Sequence, residues 1–214
     1  MLGNQQHAGF GDIVGETPRN DPKEMPMSRA ICAATTIAVI ATATVAANAA
    51  QPAPEYLAEP PVPGFTIGHQ LSRDGNAITE RVPAGETVQR WTRMVTVQRF
   101  AGASARMRPE QLLQTMGAGV VQACLGGRAG PIQSLTVSGR PAAQLRADCP
   151  INPATGKPET FLARAIGGTQ AMHVVQIAFR RVPTAIDMAW AQKHLNGTVL
   201  CLPGSSAGPC GTKR

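Results

Sequence analysis

The residue pattern is that of an α+β domain: a largely antiparallel β-sheet with two main helices packed on it. Three observations lead there. Segments with period-two alternation and β-branched residues outnumber helical ones. Two stretches, 108–127 and 184–197, instead repeat apolar residues at helical spacing. The order strands, helix, a run of strands, helix, strand contains no repeated βαβ unit and no glycine-rich crossover. With aromatic residues at 4% of the chain, the core is expected to be aliphatic.

Before the first strand the chain reads as a processed leader. "MSRAICAATTIAVIATATVAANAAQ" offers one positive charge at Arg29, an uncharged run from Ala30 to Val45, and small residues at Ala47 and Ala49. That layout predicts a signal peptide over 27–49, cleaved near Ala49, and a periplasmic or secreted protein. The rival is a membrane anchor, because Ala30 to Ala50 reaches the roughly 20 residues that span a bilayer. The run is weakly apolar, rich in alanine and threonine, and ends in an A-x-A motif, which favours cleavage. Cys32 opens the run rather than following it, so no lipid attachment is expected. Residues 1–26 are polar and read as a mis-set start, with translation from Met25 or Met27, or as a polar extension.

"AQPAPEYLAEPPVPG", residues 50–64, reads as a proline-rich spacer, extended and mobile. A single α+β domain is expected over 65–202. "FTIGHQLS" and "NAITERVP" are strands joined by "RDGN", whose Asp-Gly pair is a hairpin signal. The segment from Val88 to Phe100 reads as one strand with Trp91, Val95 and Val97 on one face, and Thr92, Met94, Thr96 and Gln98 on the other. "RPEQLLQTMGAGVVQACLGG" reads as a helix: Pro109 suits its first turn, Glu110 the positive end of its dipole, and Gly126 and Gly127 stop it. Its inward face is expected at Leu112, Leu113, Met116, Val120, Ala123 and Cys124.

Four strands follow: "IQSLTVSG", "RPAAQLRADC", "ETFLARAIGG" and "AMHVVQIAFRR". A long loop, "PINPATGKP", is expected between the second and third, and the last reads as a central strand. Thr184 with Asp187 is a capping box for the final helix, with Ile186, Ala189 and Trp190 facing inward. "TVLC" closes the domain.

Cysteine count agrees with the oxidising compartment. Losing Cys32 with the leader leaves Cys124, Cys149, Cys201 and Cys210. Four cysteines allow three connectivities; Cys124–Cys149 and Cys201–Cys210 are favoured because each closes a shorter loop. The second brackets the turn-rich "CLPGSSAGPC" and makes 203–214 a disulfide-closed C-terminal tail. No C-x-x-C pair exists, so no metal site is expected.

Charge narrows the partners. Lys and Arg number 20 against 13 Asp and Glu, a net charge of +7, which suits an anionic ligand or an acidic envelope protein. The cations are dispersed, which argues against a specific nucleic-acid partner and leaves membrane contact to the leader segment, if uncleaved. Arg81, Arg90, Arg93 and Arg99 are the candidate ligand-binding residues, otherwise rim charges around a core Trp91.

Catalytic motifs mostly dissolve in context. "GSSAG", 204–208, lacks the following helix and histidine of a nucleophile elbow. "TGKPE" has Pro158 where a phosphate loop needs a hydroxyl. Glu80 and Glu86, six residues apart across a Pro-Gly turn, are the candidate acid and base of a small cell-envelope hydrolase. No cofactor is expected.

"ITERVPAGETVQRWTRMVTVQ", followed by a helix, a β-meander and a C-terminal helix, resembles small exported bacterial proteins of uncharacterised function whose layout is similar to the PsbP-like α+β sandwich. The resemblance spans roughly Phe65 to Leu202 and implies a non-catalytic binding module.

Overall fold

A computed structural model describes residues 54–206 and 208–211. The leader expected over 27–49, its cleavage site and the extension 1–26 lie outside the described residues. In chain order the elements are β1 (Tyr56–Ala58), β2 (Phe65–Arg73), β3 (Asn76–Pro83), β4 (Arg93–Ala101), α1 (Pro109–Ala123), β5 (Arg128–Ala129), β6 (Gln133–Val137), β7 (Arg140–Asn152), β8 (Lys157–Gly167), β9 (Ala171–Phe179), α2 (Ala185–Gly197) and β10 (Val199–Cys201). The main sheet runs β2-β3-β4-β9-β8-β7-β5, with β6 also on β7, and its strands pair antiparallel throughout the described residues. This is the α+β architecture expected, a largely antiparallel sheet carrying two helices.

Each helix takes its own face, because alternate residues of the central strands are apolar on both sides. Met172, Val174 and Ala178 of β9 join Leu112, Leu113 and Met116 of α1. Val175, Ile177 and Phe179 join Ala191 and Leu195 of α2. A strand buried on both faces needs an apolar run, and β9, between β4 and β8, has one.

Local chemistry explains the best-defined turns. Asp74 and Gly75 have φ of 51° and 76°, the left-handed pair that closes a two-residue hairpin between β2 and β3. Thr184 accepts from the Asp187 backbone N–H while Asp187 accepts from that of Thr184, completing the capping box of α2. Both disulfides are formed, Cys124–Cys149 and Cys201–Cys210, with Cα atoms 5.5 and 5.4 Å apart.

Several expectations are corrected. The proline-rich segment 50–64 is not a free tether along its described part: β1 pairs with β10, and Glu55, Leu57 and Ala58 are buried. Prolines set the backbone extended, and β10 supplies the partner that composition does not reveal. Trp91 precedes β4 and packs with Met94 on the α1 side, whereas Val95 belongs to the α2 side. The irregular stretch 87–92, pinned by a Thr87–Arg90 bridge, breaks the alternation. The loop between β7 and β8 shrinks to residues 153–156, because β7 runs on past Cys149 through an irregular register. Ala123 is exposed, as are Ile186 and Ala189; α2 turns Asp187, Ala191, His194 and Leu195 inward instead.

Candidate interaction surface

The face of α2 that was expected to be buried is partly open, and it meets the starts of β2 and β4 at a guanidinium. Arg93 opens β4 opposite Phe179. Its guanidinium carbon lies 5.6 Å from the Phe65 ring centroid and 5.5 Å from that of Trp190. The two rings stack on each other at 5.9 Å and 24°, and Trp190 sets its edge against buried Phe179 at 6.1 Å. No carboxylate among the described residues pairs with Arg93. One helical turn before Trp190 on α2, Ile186 is 82% exposed, and two residues after Phe65 on β2, Ile67 is 57% exposed.

Beside it, a cleft of about 270 Å³ is lined by Glu59, Pro60, Pro61, Val62, Phe65, Ile67 and Arg81. Its charges are spent internally. Arg81 donates to Glu59 at 3.1 Å, and the second Glu59 oxygen is 3.3 Å from His194 Nε2. Burial pushes the Glu59 carboxyl up, but the His194 and Arg81 contacts outweigh it and hold it below its ordinary value. Arg181 is likewise held, donating to Asp187 at 2.8 Å.

Further along the same face, a second carboxylate from the strap, the docked segment that carries β1, is fully enclosed. Glu55 is 1% exposed and accepts hydrogen bonds from the backbone N–H groups of Thr169, Gln170 and Ala171 and from the Thr169 hydroxyl, at 2.7 to 2.9 Å. His173 Nε2 stands 3.3 Å away. Burial opposes the charge, yet these donors bring the Glu55 pKa down to about 2. Desolvation lowers the His173 pKa, and the contact with Glu55 offsets this in part. A Cβ at Gly168 would collide with Glu55 Oε1, so only glycine lets the carboxylate in.

Arg164 is another buried charged group on this side. It donates to Gln144 at 2.6 and 3.2 Å, to Asn196 at 2.9 Å and to the Leu195 carbonyl near the end of α2. The negative end of the helix dipole thus receives a cation.

The sequence-derived candidates are scattered rather than gathered. Glu80 pairs across the ladder with Thr96, whereas Glu86 accepts from the Thr92 N–H and hydroxyl at 2.6 and 2.7 Å. Thr92 and Thr96 are four residues apart, about 13 Å along an extended chain, so the register does not bring the two carboxylates side by side. Glu86 braces the turn into β4. Arg99 donates to the Gly75 carbonyl at the hairpin tip, Arg81 is paired with Glu59, and Arg90 joins the Thr87 bridge through its backbone. Trp91 is buried under Arg180, whose guanidinium carbon lies 4.1 Å from the ring centroid. Of the four arginines, Arg93 alone lies against two half-buried aromatic rings.

Glu55, Glu59, Phe65 and Trp190 escaped the sequence reading. A signal existed for Glu55: a histidine inside the apolar run "AMHVVQIAF" requires a polar partner when buried. A second open feature lies on the opposite face, a groove of about 530 Å³ between α1 and β5 with Leu113, Ala118, Val121, Ile132 and Leu145 in its walls. Leu125, just beyond α1, is 94% exposed.

No family model matches this chain, and no curated protein matches it in sequence. Among solved structures, it is similar to the Ran-binding protein Mog1p of Saccharomyces cerevisiae, at 10% identity and a TM-score of 0.42 over 68% of this chain and 93% of that one. It is also similar to LpqN of Mycobacterium tuberculosis, a protein involved in cell envelope biogenesis, at 11% identity and a TM-score of 0.37 over 72% of this chain and 88% of that one. Likenesses this distant carry no weight for function.

Proposed function

We propose that the chain is an exported, non-catalytic interaction module of the bacterial envelope, with the face around Arg93 as its docking surface. The supporting observation is the composition of that face: tryptophan, phenylalanine and arginine in mutual contact, with exposed Ile186 one helical turn from Trp190 and exposed Ile67 two residues from Phe65. Tryptophan and arginine are enriched among the residues that carry binding energy where proteins meet. The two disulfides fit an oxidising compartment. The hydrolase alternative draws less support, because Glu86 is engaged with Thr92 and Glu80 stands on a neighbouring ladder.

The test is chemical crosslinking of the native protein in fractionated cells. A discrete crosslinked species in the envelope fraction, lost on Trp190→Ala, is the expected result. Uniform absence of such a species, or a loss of cellular function on Glu80→Gln or Glu86→Gln in a protein that still folds, would overturn the proposal.

A further inference from the structure

We infer that the strap is an exchangeable element: its seat accepts the same segment from a second copy of this chain, giving a two-fold dimer in which each copy wears the other's strap. The inference is independent of the docking face around Arg93. It starts from the contacts that hold the strap. Glu55 is held by the Thr169–Ala171 turn, β1 pairs with β10, and the Tyr56 hydroxyl donates to the Cys210 carbonyl at 3.1 Å. Glu59 meets Arg81 and His194, and Pro60 packs so closely on Gly197 that a Cβ there would collide with its ring. Apart from Arg81, each of these partners is more than 100 residues away along the chain. Such a contact set is satisfied equally by a strap from another copy, and an element of this kind is what copies of one chain exchange.

The connection to β2 supplies the hinge. Pro61, Val62, Pro63 and Gly64 join the strap to Phe65, and all but the half-buried Val62 are exposed. The chain reverses in one turn, in which the Phe65 N–H donates to the Val62 carbonyl at 3.2 Å and Gly64 has φ of 77°. Proline followed by a glycine at positive φ is the pairing a type II turn requires. Docking in the same copy therefore depends on a single backbone reversal. Pro60, Pro61 and Pro63 bias the rest of the segment to extended backbone, so opening that turn swings the strap out as a stiff arm. A Cβ at Gly64 would meet nothing within 4 Å, which makes this residue a lever on the turn that disturbs no packing.

An opened copy has reason to take a second strap. Lifting Glu55 strips the N–H groups of Thr169, Gln170 and Ala171 of their acceptor, and lifting β1 uncovers Leu200. Water replaces the lost hydrogen bonds but not the apolar cover. A strap from another copy restores both. The four hinge residues reach at most about 14 Å when extended, so two copies must meet hinge to hinge and exchange reciprocally. The short tether favours docking within one copy when the protein is dilute, and the exchanged dimer gains as concentration rises.

The experiment uses two batches of the full chain: an isotopically light one with a benzophenone amino acid in place of Tyr56, and a heavy one without the probe. They are unfolded in urea with disulfides intact, refolded together over a range of concentrations, separated by size and irradiated. The expected result is a dimer whose fraction rises with concentration and whose adducts join the light strap to residues 199–210 of a heavy chain, while the monomer carries adducts within the light chain only. Gly64→Val in both batches should lower the dimer dissociation constant by about tenfold for each hinge, because a side chain at positive φ opposes the turn. Gly64→Ala repeats the measurement if Gly64→Val fails to refold. A heavy chain carrying Gly168→Ala, whose Cβ occupies the place of the Glu55 carboxylate, should receive no light strap. Absence of dimer at every concentration in a refolded Gly64 variant, a dimer whose adducts all stay within one chain, or a heavy-chain adduct indifferent to Gly168→Ala overturns the inference.

Discussion

Glu55 shows how one side chain can fix the conformation of a distant turn. Its carboxylate satisfies three backbone N–H groups and a hydroxyl between Thr169 and Ala171, so the buried charge has four donors. The pKa is about 2 in the fold, against 4.5 for an unperturbed glutamate. A depressed carboxyl pKa stabilises the fold above the unfolded value and loses that contribution as pH falls through the folded one. The shift corresponds to about 3 kcal/mol. Urea denaturation at pH 7 and near pH 2 should show this loss in the native chain. Glu55→Gln, which cannot titrate, should be less stable at pH 7 by about 1–3 kcal/mol and show a shallower decline between pH 5 and 2. An equal decline in both proteins would mean that other carboxylates govern acid unfolding.

At the level of elements, β1 and α2 share one task, since together they cover the sheet face that holds Val175, Ile177 and Phe179. Deleting the chain through Val62 would expose Leu200 and that face and leave His173 and His194 without their carboxylates. The expected cost exceeds about 3 kcal/mol, a fall of roughly 6–12 °C in Tm, measurable by calorimetry; a change under about 2 °C would make the strap an ornament. These same two elements were the least legible in the sequence. The β2–β3 hairpin was readable because Asp74-Gly75 states its own geometry, and the start of α2 because Thr184 and Asp187 are a local device. Polyproline composition announces extended backbone without announcing a partner, so the pairing of Tyr56 with Cys201 was invisible. The inward face of α2 was misjudged because Asp187 and His194 occupy it, serving a cap and a carboxylate pair, while Ile186 is left outside. Apolar periodicity assumes that polar residues face water, and here two of them do not. The arginine cluster with Phe65 and Trp190 was legible only as one candidate cation among four.

The molecule as a whole is a sheet pinned at two unlike places. Cys124–Cys149 ties the end of α1 to β7 across 25 residues, and Cys201–Cys210 folds the tail back over 9. Loop entropy makes the first worth about 3 kcal/mol and the second less. Replacing each pair with serine should reproduce that order in denaturation midpoints, and a larger effect from the tail bridge would show that it also holds β1, through the hydrogen bond from the Tyr56 hydroxyl to the Cys210 carbonyl. Glu55 reaches Thr169 across 114 residues of chain and β1 reaches β10 across more than that. Of the described elements, a ribosome therefore delivers the strap first and its seat nearly last. The strap must wait unplaced until β9 and β10 exist, and any factor that accompanies the nascent chain meets this face of the sheet while it is still uncovered.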